Sequence, residues 1–199
     1  MIKNLVKLTS SALPTEFGEF TIHVYRDLRN SVEHVVLVMG EVAARNNILT
    51  RVHSECLTGD IFGSTRCDCG EQLALAQKMI AAEGRGVIIY LRNHEGRGIG
   101  LANKIRAYDY QDKGLDTVEA NLALGLPIDS RSFEAAAEIL EILSVESISL
   151  MSNNPNKFSA LRDLGVNITR HVPLTIVPNK NNLKYLQTKK VKLGHTLTT

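Results

Sequence analysis

The sequence predicts a single α/β domain on a mostly parallel or mixed sheet flanked by helices. Three observations carry that reading. Short apolar runs alternate with segments of helical period along most of the 199 residues. Hydrophobic residues make up 44% and charged residues 22%, the balance of a soluble globular chain that buries a core without disulfides. No repeat or low-complexity stretch divides the chain, so one domain is expected over 1–199, with a mobile tail after about residue 193.

The elements follow in order. Leu13 to Phe20, LPTEFGEF, reads as a turn running into a strand. Val35 to Val42 is apolar and β-branched, hence a buried strand, and Ile48 to Val52 is another. Leu73, Ala76, Met79 and Ile80 share one face, which makes Glu71 to Glu83 a helix ended by Gly84 and Gly86. Val87 to Leu91 is a continuous apolar run and a buried strand. Arg92 to Gly100 is a charged, glycine-rich loop, and Leu101 to Gln111 returns to a helix stopped near Gly114. Phe133, Ala136, Ala137, Leu140 and Leu143 form a helical stripe with Ser132 as its N-cap. Ile148 to Met151 is a strand, Ser152 to Pro155 a turn, and Asn156 to Leu164 a helix closed by Gly165. Val166 to Val172 is the last strand and Asn182 to Lys192 a basic terminal helix. Sites in such folds lie in loops beyond strand ends. The cysteine loop, Arg92 to Gly100 and Ser152 to Lys157 each follow a strand, so they are expected to meet at one edge.

Composition excludes some functions. The formal net charge is +2, too small for the basic field of a dedicated nucleic-acid binder, although a local patch stays open. The opening MIKNLVKLTSSALP has no signal-peptide shape, and no apolar run approaches the roughly 20 residues of a membrane helix. Three cysteines without an export signal suggest a reducing cytoplasm.

Those cysteines all fall in RVHSECLTGDIFGSTRCDCGEQL, as Cys56, Cys67 and Cys69, spaced C-x10-C-x-C. Turn formers such as Thr58, Gly59, Asp60 and Gly63 separate them. A metal explains the convergence most simply. Structural zinc takes four protein ligands, whereas a catalytic site keeps three and leaves the fourth position for water. The absence of a fourth cysteine favours the open site. Competing readings are buried small hydrophobes, one disulfide with a spare thiol, or a site closed by His53.

Four further stretches bear chemistry, each with a plainer alternative. In Arg92-Asn-His-Glu-Gly-Arg-Gly-Ile-Gly100, glycines let backbone amides approach a phosphate, and Arg92 and Arg97 could clamp its oxygens, with Lys104 and Arg106 adding charge. The alternative is a solvated loop with local ion pairs. Tyr108 could donate a proton, or could be half-buried with its hydroxyl at the surface. Asp129 and Arg131 precede a helix, where a cap and a salt bridge are ordinary. Ser152-Asn-Asn-Pro-Asn-Lys157 could hold an anion at a helix start, or be a simple turn and cap.

Taken in order, RVHSECLTGD, CDCG, HEGRGIGL, KIRAYDYQDKG, DTVEAN and SNNPNK resemble GTP cyclohydrolase II, the family that opens guanine to begin riboflavin synthesis. LPTEFGEF and KLGH extend the resemblance from about Leu13 to His195. It implies one zinc ion per chain on Cys56, Cys67 and Cys69. It implies GTP contacts at Arg51, Val52, His53, Ser54, Glu55, Gln72, Glu95, Gly96, Arg97, Thr117, Ser152 and Lys157. Tyr108 falls on a catalytic tyrosine, Asp129 on a proton acceptor and Arg131 on a proposed nucleophile. Magnesium with the triphosphate and a cytoplasmic homodimer, with no nucleic-acid or membrane partner, are also implied. Two positions depart from the family pattern. His94 stands where Gln is commoner and Ser152 where Thr is usual, so changed contacts are expected rather than lost function. Many relatives carry an extra domain that makes dihydroxybutanone phosphate, and this chain starts too close to the LPT motif for one to be expected.

The implied reaction converts GTP and water into formate, pyrophosphate and a diaminopyrimidine ribosyl phosphate. Zinc makes water a nucleophile near pH 7, but three thiolates leave it a weaker acid than three histidines would, so neighbouring groups must help. Tyr108 would protonate the opening ring or hold its developing charge. Arg131 would either bond covalently to phosphorus or only clamp phosphate, since a guanidinium holds its proton to about pH 12. Two other readings stay open. One is a structural zinc module that binds nucleotide or nucleic acid through the loop arginines and Lys184 to Lys192. The other is a family variant that opens the ring and retains the formyl group.

Overall fold

The computed structural model describes residues 4–194, apart from the side chains of Lys184 and Leu193. From His195 onward, the tail expected to be mobile lies outside the described residues, as does the end of the KLGH motif.

In chain order the elements are β1 (Leu5–Thr15), β2 (Gly18–Asp27), β3 (Glu33–Met39), β4 (Ile48–Ser54), α1 (Leu57–Asp60), α2 (Cys69–Glu83) and β5 (Gly86–Leu91). There follow α3 (Glu95–Gly98), α4 (Leu101–Asp112), α5 (Thr117–Ala123), α6 (Glu134–Ile142), β6 (Ile148–Met151), α7 (Pro155–Asp163), β7 (Ile168–Val172) and α8 (Leu183–Leu193). Among the described residues no helix is long and apolar enough to cross a membrane.

The strands form one mixed seven-stranded sheet in the order β1-β2-β3-β5-β4-β6-β7. Its first half is antiparallel and its second half, from β5 through β4 and β6 to β7, is parallel. The alternation of β4 sorts its side chains to two faces. Ile48 and Val52 enter one core with Ile89, Leu150, Ala136, Ile139 and Leu161, which brings in α6 and α7. Leu49 enters the other with Ile88, Ala76 and Ile80 of α2. Both faces of the parallel half are therefore covered, as a buried parallel sheet requires. Because β4, β5 and β6 run the same way, the loops after Ser54, Leu91 and Met151 leave from one edge.

Several boundaries differ from the sequence reading, each for a local reason. Leu13 to Phe20 is the turn of a β1–β2 hairpin rather than a turn before a lone strand. Most of β1 is exposed and it lies at the sheet edge, so it lacks an apolar signal and tolerates Pro14. β3 stops at Met39 because Gly40 has φ 66°, and a Cβ there would stand 2.6 Å from the Gly84 carbonyl. The Arg92–Gly100 loop contains the turn α3, with Gly96 and Arg97 at positive φ. The short helix α5 was not anticipated, although Asp116 and Glu119 form a reciprocal capping box at its start. Helix α6 begins at Glu134 after Phe133, with the Ser132 hydroxyl accepting the Glu134 amide.

Candidate active site

The three sulfurs are brought together by the loop after β4 and the start of α2. Cys56, Cys67 and Cys69 are free, and their Sγ atoms all lie within 4.8 Å of one another, with Cys56 and Cys67 3.7 Å apart. The approach depends on Gly59, where a Cβ would stand 2.9 Å from the Cys67 Sγ and 3.2 Å from the Cys56 Sγ. Cys56 and Cys67 are buried but belong to neither apolar core, so they are not core filling. Hydrogen bonds from Cys67 and Cys69, with the Lys104 charge, hold the Cys56 thiol far below its ordinary range. The bond to Cys56 pushes Cys67 up to about 11, and bonds to its two neighbours push Cys69 well above the usual thiol value. Among the described residues no fourth protein donor joins this cluster. His53 in particular is turned away, with its Nε2 bonded to Asp60 at 3.0 Å and its ring stacked on Tyr90. Three soft sulfur donors with a position to spare suit a zinc ion.

Asp60 braces the loop from behind. It accepts the Tyr90 hydroxyl at 2.8 Å and the Cys56 amide at 3.0 Å. A second brace runs through buried polar groups. Arg51 donates to the Met151 carbonyl and to Gln72 Oε1, at 3.0 and 2.6 Å. Gln72 donates to Asp68 at 2.6 Å, and Lys189 of α8 reaches the same carboxylate at 2.7 Å. Burial lowers the Arg51 guanidinium to about 10.

The three loops do converge on one cavity. From β4 and the cysteine loop, Arg51, His53, Ser54 and Glu55 line it with the cysteines and Gln72. Glu95, Gly96 and Arg97 come from the loop after β5, and Ser152 and Lys157 from the loop after β6. Tyr108, Thr117 and Arg131 complete the expected set. Two expected residues stand back. The Val52 side chain lies in the apolar core, and only its carbonyl, which accepts Lys157 Nζ at 2.7 Å, takes part. Asp129 does not line the cavity but grips Arg131, accepting from Nε at 2.9 Å and from Nη2. Burial pushes the Asp129 carboxyl up, yet the Arg131 bonds outweigh it and hold the group below its usual value.

Arg131 Nη1 donates to Ser54 Oγ at 3.1 Å, which leaves the serine hydroxyl proton for His94 Nδ1 at 3.3 Å. Burial first, then the charges of Arg131 and Lys157, lower His94 to about 3, so its imidazole is neutral. Burial also pulls Lys157 well below the usual lysine value, with Arg51 and Arg131 reinforcing it. Tyr108 shares a hydrogen bond with Thr58 Oγ1 at 3.2 Å, and burial raises its phenol. Arg97 has a left-handed backbone, φ 64°, and its Nη1 is buried without a partner. A strained cationic residue with an unanswered donor in a cavity is a ligand-binding signal.

Sequence reasoning treated Lys104 only as added charge, and it did not place Asn121, Asn153, Tyr185 or Lys189, all of which line the cavity. The i, i+4 spacing of Tyr185 and Lys189 was the available signal. Lys189, read as part of a basic tail, is instead buried in its ion pair with Asp68.

The chain matches the family model of GTP cyclohydrolase II over residues 6–173. It is 52% identical over 198 residues to a GTP cyclohydrolase-2 of Neisseria meningitidis serogroup C, covering 100% of both chains. A bifunctional chloroplastic riboflavin biosynthesis protein of Arabidopsis thaliana is 54% identical over 192 residues, and the match covers 96% of this chain but 35% of that one. Among solved structures, a two-domain 3,4-dihydroxy-2-butanone 4-phosphate synthase from A. baumannii aligns over 85% of this chain and 40% of its own, at 22% identity and a TM-score of 0.46.

Proposed function

The chain belongs to the GTP cyclohydrolase II family of hydrolases, and from that premise we propose that it opens the guanine ring of GTP at C8 with zinc, releasing formate and pyrophosphate. The product is 2,5-diamino-6-(5-phosphoribosylamino)pyrimidin-4-one, in the first step of riboflavin synthesis. The observation that carries this reading is the three-sulfur cluster in the wall of a cavity rich in cations.

Cys56, Cys67 and Cys69 would hold the ion. When bound, zinc supplies a Lewis acid that makes water nucleophilic near neutral pH. The protein's own groups do the rest. Tyr108, its phenol raised by burial, keeps its proton at neutral pH and can give it to the ring nitrogen as the bond opens. Arg97, with its unpartnered Nη1, and Arg131 face the same space as Lys157 and would neutralise a triphosphate, together with magnesium. That anion would favour the charged form of Lys157, against the burial that lowers it. The Asp129–Arg131 fork favours a clamp over a covalent role. A carboxylate held below its usual value is a poor base for a guanidinium that keeps its proton to about pH 12. The same reading makes the working unit a cytoplasmic homodimer.

The test is incubation of purified protein with GTP and magnesium. Equal amounts of formate and pyrophosphate are expected from the parent, and neither from Cys67→Ser. Pyrophosphate without formate would support the formyl-retaining variant. GTP bound and returned unchanged by zinc-replete protein would instead support a binding module.

A further inference from the structure

Lys104 sits in the first turn of α4 and is 8% exposed. Its ammonium group has three donors, and each has a partner. They reach Cys56 Sγ at 3.2 Å, Thr58 Oγ1 at 2.8 Å and Glu95 Oε1 at 2.5 Å. Glu95 is itself fixed, because its other oxygen accepts the Leu57 amide at 2.7 Å. The lysine is thus locked between the metal loop and α3, aimed at a sulfur. Its ion pair with Glu95 keeps the ammonium beside the sulfur.

A buried ion pair between helices is a weak source of stability, because desolvation offsets most of its attraction. Packing alone therefore does not account for a cation here. The chemistry of the cluster does. Three thiolates bring three negative charges to a divalent ion, which blunts its acidity. A charged donor on one sulfur draws electron density away from it, and outer partners of this kind tune metal ligands.

We propose that Lys104 is a positioning residue that acts through Cys56, its hydrogen bond to the sulfur raising the Lewis acidity of the ion that the three cysteines hold. This rests on the reading of the cluster as a metal site. It also gives Glu95 a role distinct from substrate contact, that of holding Lys104 on the sulfur.

Cobalt(II) in place of zinc supplies the test, through its thiolate-to-metal charge-transfer absorption. A donor on sulfur lowers the sulfur lone pair and moves this band to shorter wavelength. The parent and Lys104→Arg are expected to share one band position, and Lys104→Met to shift it to longer wavelength with one cobalt still bound per chain. Lys104→Met leaves Glu95 buried without a counter-charge, so the paired variant Lys104→Met/Glu95→Gln, neutral at both positions, is measured beside it and should show the same shift. Bands of both methionine variants superposing on the parent's, at full cobalt occupancy, would overturn the role of Lys104. A parent that binds cobalt with no thiolate band would overturn the metal site itself.

Discussion

Single side chains decide the chemistry of this cavity through what surrounds them. In the proposed reaction Tyr108 would serve as the acid, because burial raises its phenol and Thr58 fixes its hydroxyl. Tyr108→Phe is expected to lower kcat for formate release by about 10²–10⁴-fold, the usual worth of a positioned acid, with zinc content unchanged. Loss of zinc from that variant would show that the tyrosine serves the metal loop and not the ring. The cysteines were legible in the sequence because thiols spaced C-x10-C-x-C across a run of turn formers point to a shared ion. That they meet was legible too, but not that their approach depends on Gly59 lacking a Cβ. Lys104 was harder still. Nothing in LANKIRAYDY separates a lysine aimed at sulfur from one in water, and only the packing of α4 on α3 makes the difference.

Elements were legible where burial imposed a period. β5 and β6 are short and almost wholly buried, and both were read within a residue. In α2, Ala76 and Ile80 are fully buried, with Leu73 and Met79 packed beside them. β1 escaped because an edge strand exposed along most of its length carries little apolar signal, and α5 because seven residues are too short for a helical stripe. Helix α6 supports the strands that carry the site. Ile139 is completely buried in the core that also holds Val52 and Leu150. Ile139→Ala should cost about 2–5 kcal/mol, measured by urea denaturation of zinc-replete protein. A loss under about 1 kcal/mol would mean that this face repacks and does not fix the strand ends.

At the scale of the whole molecule, the parallel half of the sheet gathers the candidate site, and the fold as a whole buries the groups that make it sensitive to acid. His94 titrates at 6.5 when unfolded and at about 3 in the fold. Because the folded value is depressed, its contribution to stability is complete above pH 6.5 and drains away as pH falls toward 3. His23, His34 and His53 are shifted the same way, each chiefly by burial. Stability should therefore fall from about pH 7 to pH 5, and His94→Gln should reduce that fall by about 2 kcal/mol. Denaturation curves at the two pH values check it, and equal losses in parent and variant would contradict a buried neutral imidazole. The meeting of three loops at one edge was legible from the alternation of strands and helices. The wall made by α8 was not, because a basic terminal stretch has the composition of a solvated tail.

That wall has a consequence for the order of assembly. Asp68 stands between two sulfur ligands, and its partner Lys189 lies 121 positions later in the chain. A ribosome releases the cysteines long before it releases the lysine. On the proposed zinc reading, the nascent loop would take its ion before α8 closes over that side, and the finished protein would give it up slowly. Lys189→Met should accordingly lose zinc to a chelator faster than the parent, and equal release rates would show that the ion leaves by another route.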